Sequence, residues 1–164
     1  LTLLENLETP VVLDADGLNA VSGHIDVLKG RKALTILTPH DGEFKRLGGD
    51  LSEGTRLQAA LSFAAETGCI LVLKGFRTIT AFPDGRAFVN VSGNPGMATG
   101  GSGDVLGGMV ASLLGQGLPP EWAVPLAVYL HGRAGDLAAE ELGEYGMLPR
   151  DLIQKIPYAM KELE

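Results

Sequence analysis

Three short apolar runs, each breaking off into polar or glycine-containing sequence, set the rhythm of the first half of the chain. Val11-Val12-Leu13 leads into Asp14-Ala15-Asp16-Gly17, and Leu34 to Leu37 leads into Thr38-Pro39-His40-Asp41-Gly42-Glu43. Cys69 to Leu73 leads into Lys74-Gly75. Runs this short, apolar at consecutive rather than alternate positions, read as strands buried on both faces. Between the second and third, Ser52 to Thr67 carries leucine and alanine at helical spacing and meets Gly68, which predicts a helix with a stop. Buried strands separated by helices predict βαβ units and a parallel sheet.

The pattern then changes. Arg77 to Phe82 and Arg86 to Val91 flank Pro83-Asp84-Gly85, an antiparallel hairpin signal. After Gly93 the remaining chain reads as helices over Asp104 to Leu114, Pro120 to about Leu142, and Pro149 to about Leu163. The expectation is one α/β domain over residues 1–164, with a mainly parallel central sheet flanked by helices and an antiparallel hairpin.

Composition narrows the function. Of 164 residues 45% are hydrophobic and 20% charged, which is globular composition. No apolar run approaches the length of a membrane span. A net charge of −7 argues against a broad nucleic-acid footprint, so an anionic ligand must be held by local features. One cysteine, Cys69, excludes an internal disulfide framework and a multi-cysteine zinc site, and fits a reducing cytoplasm. The segment Leu1 to Glu8 has neither an initiator methionine nor a signal-peptide pattern, so the sequence reads as a piece of something longer.

Glycine is the outlier, at 23 residues, about twice ordinary usage. It concentrates in Gly93-Asn94-Pro95-Gly96-Met97-Ala98-Thr99-Gly100-Gly101-Ser102-Gly103-Asp104, ahead of the apolar stretch Val105 to Leu114. From Ala87 to Pro120, Asp104 is the only ionisable side chain. One reading makes Asp104 a helix N-cap. The other makes Gly101, Ser102 and Gly103 an anion hole whose backbone N–H groups face a phosphate, with Asp104 as general base beside it. A cap alone leaves the glycines unexplained. No lysine follows them, so this is not the Walker pattern.

Thr99-Gly100-Gly101-Ser102-Gly103-Asp104 resembles the anion hole and catalytic aspartate of the ribokinase-like superfamily. With Asp14-Ala15-Asp16-Gly17-Leu18-Asn19, Thr38 to Glu43 and Leu73-Lys74-Gly75 in the same order, the chain resembles the ADP/ATP-dependent NAD(P)H-hydrate dehydratases over Val11 to about Ile156. That family usually has proline where Asp41 stands and alanine where Gly17 stands, and carries more of the domain ahead of these motifs. The resemblance implies repair of hydrated NADH and NADPH (NADHX and NADPHX). ADP or ATP would be cosubstrate, with Mg²⁺.

Position by position, the resemblance makes Asp104 the base that deprotonates the hydrate hydroxyl for attack on a nucleotide phosphate. Loss of phosphate from the ester then restores the dihydropyridine. Gly103 would contact the nucleotide and the transferring group, and Lys74, Gly75, Phe76, Arg77 and Thr78 match the nucleotide segment. His40 and Asp104 match substrate contacts, and Glu43 falls where the superfamily keeps a glutamate that organises magnesium through water. A phosphate leaves a ring more readily than hydroxide, and phosphoryl transfer needs mainly positioning and charge stabilisation.

Alternatives are a small-molecule kinase of the same superfamily and a non-catalytic nucleotide-binding fragment. The expected partners are small molecules, with self-association or association with the missing upstream part through the unpaired edge of the strand at Val11. His40 and Lys74 end different strands, which suggests separate ligands along one edge. Asp16 reads as bonded to nearby backbone, and Asn19 as a substrate contact or a helix cap. His24 reads as a surface loop residue, His131 as a satisfied core histidine, Cys69 as a small apolar side chain, and Lys155 to Glu164 as a solvated helix face.

Overall fold

The computed structural model describes all 164 residues and divides into two compact units, residues 1–89 and 90–164. The first unit holds a five-stranded sheet: β1 Val11–Leu13, β2 Thr35–Leu37, β3 Ile70–Leu73, β4 Ile79–Ala81 and β5 Ala87–Val89, ordered β1-β2-β3-β4-β5. The first three strands pair in parallel, with Val12 beside Ile36 and Leu37 beside Leu71. The last two add antiparallel pairs, Leu71 with Ala81 and Thr80 with Phe88. Every residue of β2 and β3 is buried, as consecutive apolar positions require.

Five helices accompany these strands: α1 Thr2–Asn6, α2 Ala15–Val21, α3 Asp26–Lys29, α4 Asp41–Arg46 and α5 Arg56–Thr67. Leu13, Leu37, Leu71, Phe44 and Phe63 share one core, in which the two phenylalanine rings meet edge to face at 5.0 Å. Helix α5 begins at residue 56 rather than at Ser52. Asp50 accepts both the N–H and the hydroxyl of Ser52, and Gly54 is left-handed at φ +72°, so the chain cannot turn helical before Thr55. Those two bonds also hold the Asp50 carboxyl below its ordinary pKa. Thr55 then forms a capping box with Gln58, and Gly68 stops the helix at φ +71°.

The hairpin is shorter than its sequence signal. Three residues on each side pair, and the turn is closed by Phe82 N–H to Arg86 O and by Asp84, whose carboxylate receives Arg86. Arg86 holds the Asp84 carboxyl below the usual range.

The second unit is helical: α6 Ser102–Gly115, α7 Pro120–Leu142 and α8 Pro149–Lys161, preceded by a single 3-10 turn at Pro95–Met97. Helix α6 starts two residues earlier than its apolar pattern indicates. Leu130, Ala134 and Ala159 form one packed cluster; Ala138, Met147 and Leu152 form another. Small residues on α7 serve close approach: a Cβ at Gly135 would collide with the Met97 sulfur, and one at Gly132 with Ser92. Of Lys155 to Glu164 only Ala159 is buried, and Lys155 and Ile156 are half-buried. No helix is long and apolar enough to cross a membrane.

Candidate functional site

In the first unit the ends of β1, β2 and β3 bring Asp14, His40, Glu43 and Lys74 together. Thr38 ties the ends of β1 and β2 with N–H and hydroxyl bonds to Leu13 O. Lys74 N–H donates to Pro39 O, and His40 and Lys74 sit side by side in a parallel bridge. They end different strands, β2 and β3, and stand next to each other along one edge of the sheet. Lys74 Nζ donates to Asp14 Oδ1 at 2.7 Å and lies 3.9 Å from Glu43 Oε2. The lysine that the resemblance assigns to nucleotide is therefore held between two carboxylates.

His40 carries a structural role that sequence reading missed. It caps α4: Nδ1 accepts from Gly42 N–H at 3.0 Å and Glu43 N–H at 3.3 Å, and Glu43 Oε2 accepts His40 N–H at 2.8 Å. With Nδ1 accepting, the opposite nitrogen Nε2 faces Glu43 Oε1 at 3.6 Å. Glu43 is buried by this arrangement. The loop after Lys74 is exposed, as is the His40 side chain. Phe76 is almost wholly exposed, the Arg77 guanidinium lies 5.4 Å from its ring, and Thr78 hydroxyl bonds back to Gly75 O.

Asp16 and Asn19 sit on exposed positions within α2, where neither caps a helix and Asp16 makes no backbone bond, contrary to expectation. His24 is exposed between α2 and α3. Cys69 is buried, and that burial raises its thiol pKa.

In the second unit the glycine-rich stretch is held from behind by a residue the sequence did not flag. Asp136 on α7 accepts Gly93 N–H at 2.9 Å and the Asn94 amide at 3.1 Å, and Asn94 in turn accepts Gly96 N–H. Its only sequence signal is a lone acid among small and apolar positions of a helix. The chain turns into α6 at Gly101, whose φ of +97° suits glycine.

Asp104 is not the cap; it lies in the first turn, because Gly101 occupies the capping position. Its carboxylate is exposed. Ser102 N–H turns to Thr99 O at 3.2 Å, whereas the N–H groups of Gly101, Gly103 and Asp104 have no backbone acceptor. The Ser102 hydroxyl is buried with no partner. Its carbonyl is held by His131 Nε2 at 2.9 Å, so His131, half-buried rather than in the core, braces the first turn. Asp104 also borders an apolar groove of about 490 Å³ lined by Val105, Met109, Leu113, Leu130 and Ile156. Unsatisfied donors at a helix N-terminus attract an anion, and the adjacent carboxylate can take a proton.

The sequence model described as NAD(P)H-hydrate dehydratase (Carb_kinase) matches residues 1–158. The chain belongs to the NAD(P)H-hydrate dehydratase family. It is 47% identical to the bifunctional NAD(P)H-hydrate repair enzyme Nnr of Moorella thermoacetica, across 99% of this chain and 31% of that protein. The ADP/ATP-dependent NAD(P)H-hydrate dehydratase of Bacillus subtilis, co-crystallised with ATP and Mg²⁺, superposes with a TM-score of 0.84 at 37% identity. That match covers 96% of this chain and 56% of the Bacillus chain. A ribokinase-like superfamily protein from Enterococcus faecalis V583 superposes at 0.71 with 29% identity, over 98% of this chain and 65% of its own. The fold of this dehydratase-family chain is accordingly ribokinase-like, and it spans about a third of the repair enzyme's length.

Magnesium can be tested against the residues of this family member. No three His, Cys, Asp or Glu side chains gather as a metal cage. Both Glu43 oxygens face neighbours, His40 N–H on one and the His40 ring on the other. This donor set fits an ion carried mainly by phosphate oxygens and water, which magnesium favours, and not direct protein coordination.

Proposed function

We propose that this chain carries the phosphoryl-transfer portion of an ADP- or ATP-dependent dehydratase for hydrated NADH and NADPH. The observation that carries the reading is the first turn of α6, with its unsatisfied N–H groups, the unpartnered Ser102 hydroxyl, and Asp104 exposed beside them. Gly101, Gly103 and the Ser102 hydroxyl stabilise charge on the transferred phosphate. The Ser102 N–H, occupied by Thr99 O, contributes less than the glycines on either side. Asp104 takes the proton of the hydrate hydroxyl as that oxygen attacks the terminal phosphorus. The bond to the bridging oxygen breaks, releasing AMP from ADP or ADP from ATP, and phosphate then leaves the ring as the adjacent ring carbon gives up a proton.

Lys74, Gly75, Phe76, Arg77 and Thr78 take the adenosine nucleotide. His40 contacts the hydrated dinucleotide through Nε2, because Nδ1 is occupied by the α4 cap. Glu43 would hold magnesium through water, and the ion would supply charge neutralisation for the phosphates. Residues 1–164 act as one portion of a ribokinase-like domain, a reading the family match over residues 1–158 supports. The lone buried thiol suits a reducing cytoplasm, and β1, an edge strand, offers a pairing surface for a further segment or a second copy.

The test is Asp104→Asn in a complete repair enzyme containing this sequence. Turnover of the hydrate, followed by recovered dihydronicotinamide absorbance, should fall about 10²–10⁴-fold while ADP affinity stays within about twofold. Turnover within about tenfold of the parent removes Asp104 as the base. Accumulation of a stable phosphorylated product would instead assign a kinase.

A further inference from the structure

Arg56 opens α5, at the positive end of a helix, where a cation is disfavoured. Its guanidinium is spent elsewhere. Nη2 donates to Asp41 Oδ1 at 2.7 Å and to Lys74 O at 3.1 Å, and Nη1 reaches Phe76 O at 3.4 Å. Nε is buried without a partner, so the group is held in place for its two terminal nitrogens. A Cβ on Gly75 would stand 3.0 Å from Nη2, which shows how closely the guanidinium lies against that backbone.

The loop it touches needs such a hold. Arg77 adopts φ +58°, a conformation a non-glycine residue rarely takes, and Phe76 has almost no packing. Lys74 is also tied to Pro39 O and Asp14, and past it the loop has one further pair of hydrogen bonds, between Gly75 and Thr78. We propose that Arg56 is the positioning residue of the Lys74–Thr78 segment, clamping its carbonyls to Asp41 at the start of α4. A fork with several fixed donors can hold two carbonyls and a carboxylate at once, which an ammonium cannot. By this route the loop is kept in register with the His40–Glu43 cap, since Asp41 is the residue between cap and clamp. The proposal rests on the reading that this segment takes the nucleotide.

The experiment uses the 164-residue chain with ADP and Mg²⁺, reading ADP affinity by calorimetry, amide hydrogen exchange along the chain, and thermal midpoint. Arg56→Met should weaken ADP about tenfold and speed exchange at Gly75 to Thr78 while leaving β1 to β3 protected. Arg56→Lys and Asp41→Ala, each keeping part of the clamp, should each cost about threefold. Unchanged exchange in the loop, or faster exchange spread over residues 1–89 with ADP affinity intact, overturns the proposal. Failure of the parent chain to bind ADP sinks the nucleotide reading instead, and the exchange at Gly75 to Thr78 then decides the clamp by itself.

Discussion

The strand ends of residues 1–89 and the first turn of α6 are opposite ways of building a polar site. At the strand ends charge is dense and already spent: Lys74 sits on Asp14, Asp41 on Arg56, and Glu43 inside the α4 cap. At α6 there is one charged side chain and a set of donors with nothing to receive them. Partnered groups hold a shape, whereas unpartnered ones hold free energy in reserve for a ligand. On the proposed function, the cluster orients and the helix turn binds.

Substitutions separate the two. Lys74→Met should give the larger loss of stability, about 2 kcal/mol in urea unfolding, because Asp14 is left four-fifths buried without its cation. An unchanged midpoint would mean that the cluster is not holding the strand ends. Ser102→Ala should do the reverse: the hydroxyl has no partner to lose, so stability should stay within about 0.5 kcal/mol. Phosphate or ADP affinity should nevertheless fall, by about threefold. Should Ser102→Ala destabilise as much as Lys74→Met, the donor would have had a hidden structural partner.

The exposed Arg133–Glu162 pair supplies the low end of the scale. Two hydrogen bonds from Arg133 hold the Glu162 carboxyl below its ordinary 4.5, so the pair stabilises the fold above that pH. The contribution is lost as pH falls through the lowered value, while Arg133 stays charged. Glu162→Gln should flatten the acid limb of the stability curve slightly and leave neutral pH almost unaffected by comparison with Lys74→Met, because an exposed pair is worth little. A fall at neutral pH as large as that of Lys74→Met would show that exposure does not rank these pairs.

The sequence was most informative where one residue type has one physical use. Consecutive apolar positions marked β1 to β3, Pro83-Asp84-Gly85 marked the hairpin, and clustered glycines marked the turn into α6. It was least informative where a side chain's partner lies far along the chain. Asp14 and Lys74 are 60 residues apart, and Asp136 reaches Gly93 across 43. No local pattern encodes such pairs. Helix starts were displaced for a related reason: Gly54 and Gly101 carry backbone angles that apolar spacing does not report. Arg56 was invisible as the proposed clamp because its acceptors lie in two stretches remote from it in sequence, the Asp41 carboxylate in one and the Lys74 and Phe76 carbonyls in the other.

The sheet order has a consequence for how the protein is made. Its strands lie side by side in the order in which they leave the ribosome, β1 through β5, with no later strand inserted between earlier ones. Each new strand can dock on a template already present, at the growing edge opposite β1. The last strand laid down, β5, keeps Phe88 and Val89 in water. Nascent chains stalled after β3 would present a fully apolar strand, Ile70 to Leu73, as that edge, until β4 and then β5 pair over it before α6 begins.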